Sequence, residues 1–296
     1  MRRHKQLAVQ LADRVVVRPG QRLGATRSLS HLYCMRSSYE RLKATFIRNG
    51  EGSTYDSPTR AEIVRRFEAV DAGMNITSSS TDGLFLAEAL LSLECPGHAV
   101  ECGCYTGGST SKLSIVSKVV GRELVVFDSF EGLPEVDDYN LNDHHARRNS
   151  SETHAWTAGR YAAKLDLVKA NVERFGELGV CTFVKGWFAD TLTGPNVPQS
   201  IALAFTDVDI ASSARDCLLG LWPSLAAGGA FFTHDVAYIK VMQELTNPVV
   251  WDEEFHEPVP ILFGAGYGLC DSSPHLGFMI KGAQSADYIK GLLLEK

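Results

Sequence analysis

The stretch His98-Ala-Val-Glu-Cys-Gly-Cys-Tyr-Thr-Gly-Gly-Ser-Thr110 constrains the fold more than any other part of the chain. A short apolar run ends in Glu101. Glycines follow at Gly103, Gly107 and Gly108, and Ser109, Thr110, Lys112 and Leu113 open a segment with helical spacing. That order predicts a strand, a tight turn and a helix N-terminus. Glycine serves where the backbone must take positive φ or lie directly against a ligand. The spacing is not the G-x-G-x-x-G of a dinucleotide site. A pyrophosphate asks for bare N–H groups and positive potential, whereas a carboxylate at a strand tip suits a ligand with a cationic end. S-adenosylmethionine (SAM) carries an ammonium and a sulfonium and no phosphate, and is such a ligand.

From His98 onward strands and helices alternate. Strands are expected at 99–102, 123–127 (leading into Asp128), 180–185, 201–206, 230–233 and 276–281. Helices are expected at 109–120, 165–175 and from about 212 to 225, with Gly228-Gly229 as punctuation. Short continuous apolar runs fit a buried parallel sheet covered on both faces. The expected class is therefore α/β, with a Rossmann-like, mostly parallel, doubly wound sheet over residues 97–296. In such sheets ligands bind beyond the carboxyl ends of the strands. This rule lines up Glu101, Asp128, Lys185-Gly186, Asp207 and His234-Asp235 along one rim.

Residues 1–96 read as a helical extension. Helices are expected at 7–17, 30–47, from a Thr59 cap to Val70, and through Leu84, Leu86, Ala87, Leu90 and Leu91. Thr81 or Asp82 would cap the last of these and Cys95-Pro96-Gly97 would close it; 51–58 reads as loop. The extension would form a wall of the acceptor pocket or a homo-oligomer contact, and the sequence does not separate the two. A net charge of −6 with no basic stripe argues against a nucleic-acid partner. No apolar run approaches the roughly 18 residues of a membrane span, and Arg2, Arg3 and Lys5 precede no signal-peptide core. A cytoplasmic protein with reduced thiols is expected. Its seven cysteines are scattered, and Cys102 and Cys104 have neither zinc nor thioredoxin spacing.

Asp128, at the end of the second strand, stands where an acidic residue bonds ribose hydroxyls in nucleotide-binding folds of this kind. Beyond it lie DSFEGLP (128–134), VKANVERFG (168–176) and KGWFADTL (185–192). These segments resemble the macrocin-type O-methyltransferases, which methylate sugar hydroxyls of macrolides and related natural products with SAM. The resemblance covers about 100 to 238 and implies a class I methyltransferase fold and a small-molecule acceptor. Carried over, Glu101, Gly103, Thr106, Gly107 and Gly108 would cradle the methionine part of SAM and Asp128 the ribose. Ser129, Phe130, Gly186, Trp187 and Phe188 would enclose the adenine. Asp207, His234 and Asp235 stand where the family binds a divalent cation, usually magnesium.

Two departures from the family pattern matter. His234 replaces the first of two adjacent aspartates, and imidazole suits zinc, manganese-group or iron ions better than magnesium. Either the ion differs, or His234 is a base and the ion is lost. Ile210-Ala211-Ser212-Ser213 replaces the tyrosine and glutamate that usually follow, which puts a sugar acceptor in doubt. An acceptor oxygen must lie in line with the methyl group and lose its proton; Asp207 and His234 are the expected catalytic pair. The polar segment of about 135–160, with His144 and His145, reads as a lid. Two other readings stay open: a nicotinamide-dependent oxidoreductase, opposed by the missing glycine fingerprint, and an inactive scaffold that binds SAM.

Overall fold

A computed structural model describes residues 38–74, 79–135 and 157–282. The helix expected at 7–17 and most of the segment at 135–160, with His144 and His145, lie outside them. Six strands form one sheet: β1 (His98–Cys102), β2 (Leu124–Asp128), β3 (Cys181–Lys185), β4 (Ile201–Thr206), β5 (Leu225–Thr233) and β6 (Gly277–Ile280). Their order is β3-β2-β1-β4-β5-β6. All neighbours are parallel except β5 and β6. The order reverses between β1 and β4, and that switch point is where an open α/β sheet leaves a crevice.

Side-chain alternation along each strand feeds a core on either face. Ala99 points into the core shared with α2 (Ser57–Gly73), α3 (Ser80–Ser92), α4 (Gly108–Val120) and α5 (Leu165–Phe175). Val100 and Cys102 point into the other core, with α7 (Ala211–Leu221), α8 (Ile239–Leu245), Trp222 and Trp251. A single turn, α6 (Phe188–Thr191), follows β3.

The helices before residue 97 share the first core with the sheet. Residues 38–48 form α1, and α3 is buried on every side from Thr81 to Leu91. Two buried ion pairs tie them in. Arg60 of α2 meets Glu88 of α3 at 2.6 Å, and Lys112 of α4 meets Asp71 of α2 at 2.5 Å. The Arg60 guanidinium also donates to the carbonyls of Phe46 and Tyr55, so its remaining N–H groups are not left dry.

Several expected boundaries are corrected. The cap of α2 is Asp56, whose carboxylate accepts from the Thr59 N–H at 2.9 Å, so the helix starts inside the stretch read as loop. The cap of α3 is Ser79, not Thr81 or Asp82; Asp82 is the reciprocal partner of a capping box. The helix expected to run to 225 ends at Leu221, and β5 begins at Leu225 rather than 230. Pro223 lacks the N–H needed to continue a helix. Gly228-Gly229 lies within β5, where the register against β4 shifts between Ile201 and Leu203, so this pair marks a bulge and not a strand start. Among the described residues no helix is long and apolar enough to cross a membrane.

Candidate active site

A cavity of about 410 Å³ opens at the carboxyl ends of the strands, across the β1/β4 switch point. One end is built by the turn after β1. Gly103 has φ 84°, and a Cβ there would lie 2.1 Å from the Asp207 carbonyl oxygen. The β1 and β4 tips are that close because the Asp207 N–H donates to the Cys102 carbonyl at 2.9 Å. Gly107, at φ 89°, starts α4 without any side-chain cap. Gly108, Ser109 and Thr106 line the cavity, so the uncapped N–H groups of the first turn of α4 stand at its wall, favourable to an anion.

Asp128 lines the same end. Its two oxygens accept from the backbone N–H groups of Cys104 at 2.7 Å and Phe130 at 2.6 Å. These bonds fix the carboxylate and leave each oxygen a second lone pair for a ligand hydroxyl. Ser129, Gly186, Trp187 and Phe188 also line the cavity, and Trp187 is 38% exposed at its rim. Phe130 is buried in the first core against Phe183, ring centroids 6.4 Å apart, and is not on the wall. Gly107 is likewise behind the wall. Glu101 is fully buried, behind Ser109, with neither carboxylate oxygen hydrogen-bonded. Burial raises its pKa from 4.5 to about 8, against a partial offset from the Ser109 and Thr110 hydroxyls.

The far end is acidic and aromatic. Asp207 and Asp209 follow β4, and His234 and Asp235 follow β5. The His234 Nδ1 lies 3.4 Å from Asp207 Oδ1, and its Nε2 lies 3.3 Å from Asp82 Oδ2. One ligand atom each from Asp207, His234 and Asp235 falls within 4.8 Å of the others. Asp235 does not line the cavity. It is buried, and one oxygen accepts from the Val208 and Asp209 N–H groups at 3.1 and 3.0 Å. Burial, then the Asp207 charge, raises its pKa to about 7. Burial, then the charges of Asp235 and Asp207, raises Asp209 well above its ordinary value.

Around this end stand Tyr105, Tyr161, Tyr238 and His275. Tyr105 and Tyr161 meet edge to face at 5.6 Å. His275 stacks on His234 at 5.5 Å and borders Tyr238 at 6.0 Å. Tyr105, Tyr161 and Asp209 take positive φ without being glycine, at 45°, 60° and 65°. Such strain persists only where the surroundings over-determine it, as at binding sites.

Sequence reasoning did not find Asp82, the three tyrosines or His275. They arrive from separate connections, and no local spacing joins them. The one available signal was the Ser79-x-x-Asp82 pattern, which reads as a helix cap and is one.

The sheet order, the glycine turn against α4 and the cleft at the switch point define a class I, SAM-dependent methyltransferase. A profile of the macrocin-O-methyltransferase family (TylF) matches residues 85–261. The chain belongs to that family. The solved O-methyltransferase NovP is similar at 19% identity and a TM-score of 0.53, over 69% of this chain and 81% of its own. The calicheamicin methyltransferase CalS11 is similar at 20% identity and a TM-score of 0.48, over 79% and 97%. At this identity the likeness to NovP speaks for the fold alone. Comparison with curated proteins gives no match.

Proposed function

We propose that this protein methylates a hydroxyl group of a sugar on a small natural product, using SAM. The observation that carries the reading is the continuity of the cavity: it runs from Gly103, Gly108 and Asp128 at one end to Asp207 and His234 at the other. A donor held by the glycine turn and Asp128 would thus face an acceptor beside a carboxylate. The family is named for macrocin O-methylation, and Tyr105, Tyr161 and Tyr238 in the cavity wall would pack against the C–H face of a sugar. Ser212, Ser213 and Asp216 of α7 add hydroxyls and a carboxylate on the acceptor side.

When bound, SAM supplies an electrophilic methyl group on a sulfonium. The residues of the chain would do the rest. The N–H groups at the start of α4 would hold the methionine carboxylate, with Gly103, Thr106 and Gly107 shaping that wall and Glu101 behind it. Asp128 would bind the ribose; Ser129, Gly186, Trp187 and Phe188 would enclose the base, with Phe130 packed beneath. Asp207 would accept the proton of the acceptor hydroxyl as its oxygen bonds to carbon, and His234 would hold Asp207 in place.

Two ways of activating the hydroxyl fit the sequence: a divalent cation on Asp207, His234 and Asp235, or Asp207 acting beside His234. Both need Asp207 and His234 side by side, and the two lie 3.4 Å apart. We place the protein in the cytoplasm, a reading supported by the free cysteines Cys102, Cys104 and Cys217, all buried. The helices before residue 97 contribute to the acceptor side through Asp82 of α3.

Calorimetric titration tests the cofactor. S-adenosylhomocysteine (SAH) is expected to bind and NAD to give no heat; heat from NAD alone overturns the reading. Trp187→Ala is expected to weaken SAH about fivefold or more, since loss of one base–aromatic stack costs roughly 1–3 kcal/mol. Unchanged SAH affinity in that variant removes Trp187 from the adenine site.

A further inference from the structure

We propose that Asn171 is a positioning residue for the cofactor: from α5 its side-chain amide sets the turn that forms the donor end of the cavity, and so fixes how tightly SAM is held. The inference rests on the cofactor reading of that turn and concerns what keeps the turn in shape.

The turn after β1 cannot hold its shape by itself. Gly103, Tyr105 and Gly107 take φ of 84°, 45° and 89°. Every second residue from 103 to 107 is thus in a region that side chains avoid, and Tyr105 has one. Such a backbone persists only when its neighbours impose it. From β2, Asp128 accepts from the Cys104 N–H at 2.7 Å. Within the turn, the Gly107 N–H donates to the Cys104 carbonyl at 2.7 Å. From α5, the Asn171 Nδ2 donates to the Thr106 carbonyl at 2.9 Å. Thr106 lines the cavity and Asn171 does not, so Asn171 acts on a ligand through the turn.

The sequence explains how the amide arrives there. VKANVERFG (168–176) puts Val168, Asn171, Val172 and Phe175 on one face of α5 by helical spacing. Val168 and Val172 are fully buried. A Cβ on Gly107 would lie 3.1 Å from Val168 Cγ1 and 3.4 Å from Val172 Cγ2, so the missing side chain of Gly107 lets α5 lie against the turn. The other end of α5 is tied down as well. Arg66 of α2 donates to the Gly176 carbonyl at 3.1 Å and pairs with Glu177 at 2.8 Å. The Glu177 N–H donates to the Ser114 hydroxyl of α4 at 2.9 Å. Because α4 begins at the same turn, α5 is fixed to both. An amide on so fixed a helix sets the Thr106 peptide instead of following it.

The same stretch reaches the acceptor end. Tyr161, just before α5, meets Tyr105 edge to face at 5.6 Å, and both residues line the cavity. Tyr105 and Thr106 are therefore held at adjacent positions by one continuous segment, 161–171.

An amide can be told apart from a space-filling group. Asparagine offers an N–H donor to a carbonyl, whereas ionised aspartate has the same shape and offers acceptors only. If Asn171 merely filled space, Asn171→Asp would be the milder change and Asn171→Ala the harsher. If it positions the Thr106 carbonyl the order reverses, because Asn171→Asp sets a second oxygen against it.

The test is calorimetry with SAH on the full chain, together with the backbone nitrogen resonance of Gly107, whose peptide carries the Thr106 carbonyl. Asn171→Ala is expected to weaken SAH about fivefold and Asn171→Asp more than about tenfold, as befits a carbonyl that loses its donor or meets a like charge. Both are expected to shift the Gly107 resonance in the ligand-free protein. Should Asn171→Asp fail to fold, Asn171→Leu takes its place, with similar bulk and no donor. Positioning then predicts a loss equal to that of Asn171→Ala, and packing predicts recovery. A wild type that binds SAH, with variants that bind it equally well, overturns the inference alone. So does a greater loss in Asn171→Ala than in Asn171→Asp, or recovery in Asn171→Leu. A wild type that binds no SAH overturns the cofactor reading, and the inference with it.

Discussion

Replacing Asp207 with asparagine is expected to lower kcat by about 10²- to 10⁴-fold, the range for loss of a positioned proton acceptor, while SAH affinity stays within a few-fold. The two halves of that outcome follow from where Asp207 sits. Its backbone N–H donates to the Cys102 carbonyl, which holds the β4 tip against the β1 turn. The substitution leaves that bond alone. Asparagine keeps the shape of the side chain and an oxygen that can accept from His234 Nδ1, 3.4 Å away in the wild type. What it loses is the capacity to take a proton and the negative charge beside His234. Because Asp128, Gly103 and the start of α4 are untouched, binding of the cofactor product has no reason to fail. The measurement is SAH release from SAM with a panel of nucleotide sugars and glycosylated macrolides, alongside SAH calorimetry. A kcat within tenfold of wild type on any accepted substrate would mean that another group takes the proton. A collapse of SAH binding would mean that Asp207 supports the donor end and not the acceptor end.

That prediction could be framed from the strand tips, since Asp207 and His234 end neighbouring strands that the alternating pattern already marks. The same is true of the whole donor end. Glu101, Gly103, Gly107 and Asp128 belong to two consecutive strand–turn units; Gly103 and Asp128 line the cavity, and Glu101 and Gly107 lie behind its wall. The acceptor end behaves differently. Asp82 comes from α3, Tyr105 from the first turn, Tyr161 from the edge of the second connection, Tyr238 from the segment after β5, and His275 from the approach to β6. Only the packing of α3 beneath the sheet, and an antiparallel β6 beside β5, bring them together. Ser79-x-x-Asp82 was legible as a helix start, but a capping-box aspartate gives no sign that the same oxygen will also face an imidazole 152 residues later, a separation read from the Asp82–His234 pair. The boundary errors have equally local causes. Pro223 ends α7 early, and Gly228-Gly229 is a bulge that looks like a break when β4 is not in view.

The second large effect concerns the Glu101 carboxylate on β1. Glu101→Gln is expected to stabilise the free protein at alkaline pH and to leave its stability near wild type in acid. Glu101 is fully buried, without a hydrogen bond to either oxygen. Burial raises its pKa from 4.5 to about 8. The sign follows from the proton balance. Below pH 4.5 the group is neutral folded and unfolded, and carries no penalty. Between 4.5 and 8 the folded state keeps a proton that the unfolded chain has released, so stability falls as pH rises. Above 8 the acid is charged in both states and the penalty is complete, roughly 4–5 kcal/mol at about 1.4 kcal/mol per pH unit. Glutamine has nearly the same shape and never ionises. Urea unfolding at pH 5 and pH 9 should therefore show a gap that opens only at the higher pH. The ligand reverses the preference. If the ammonium of SAH recruits the ionised Glu101, wild-type affinity tightens by more than about tenfold from pH 6 to pH 8 as the carboxylate becomes available, whereas Glu101→Gln binds weakly at both. A stability gap of equal size at pH 5 and pH 9 would show that Glu101 stays charged in the fold. SAH affinity independent of both pH and the substitution would show that this carboxylate never meets the ligand.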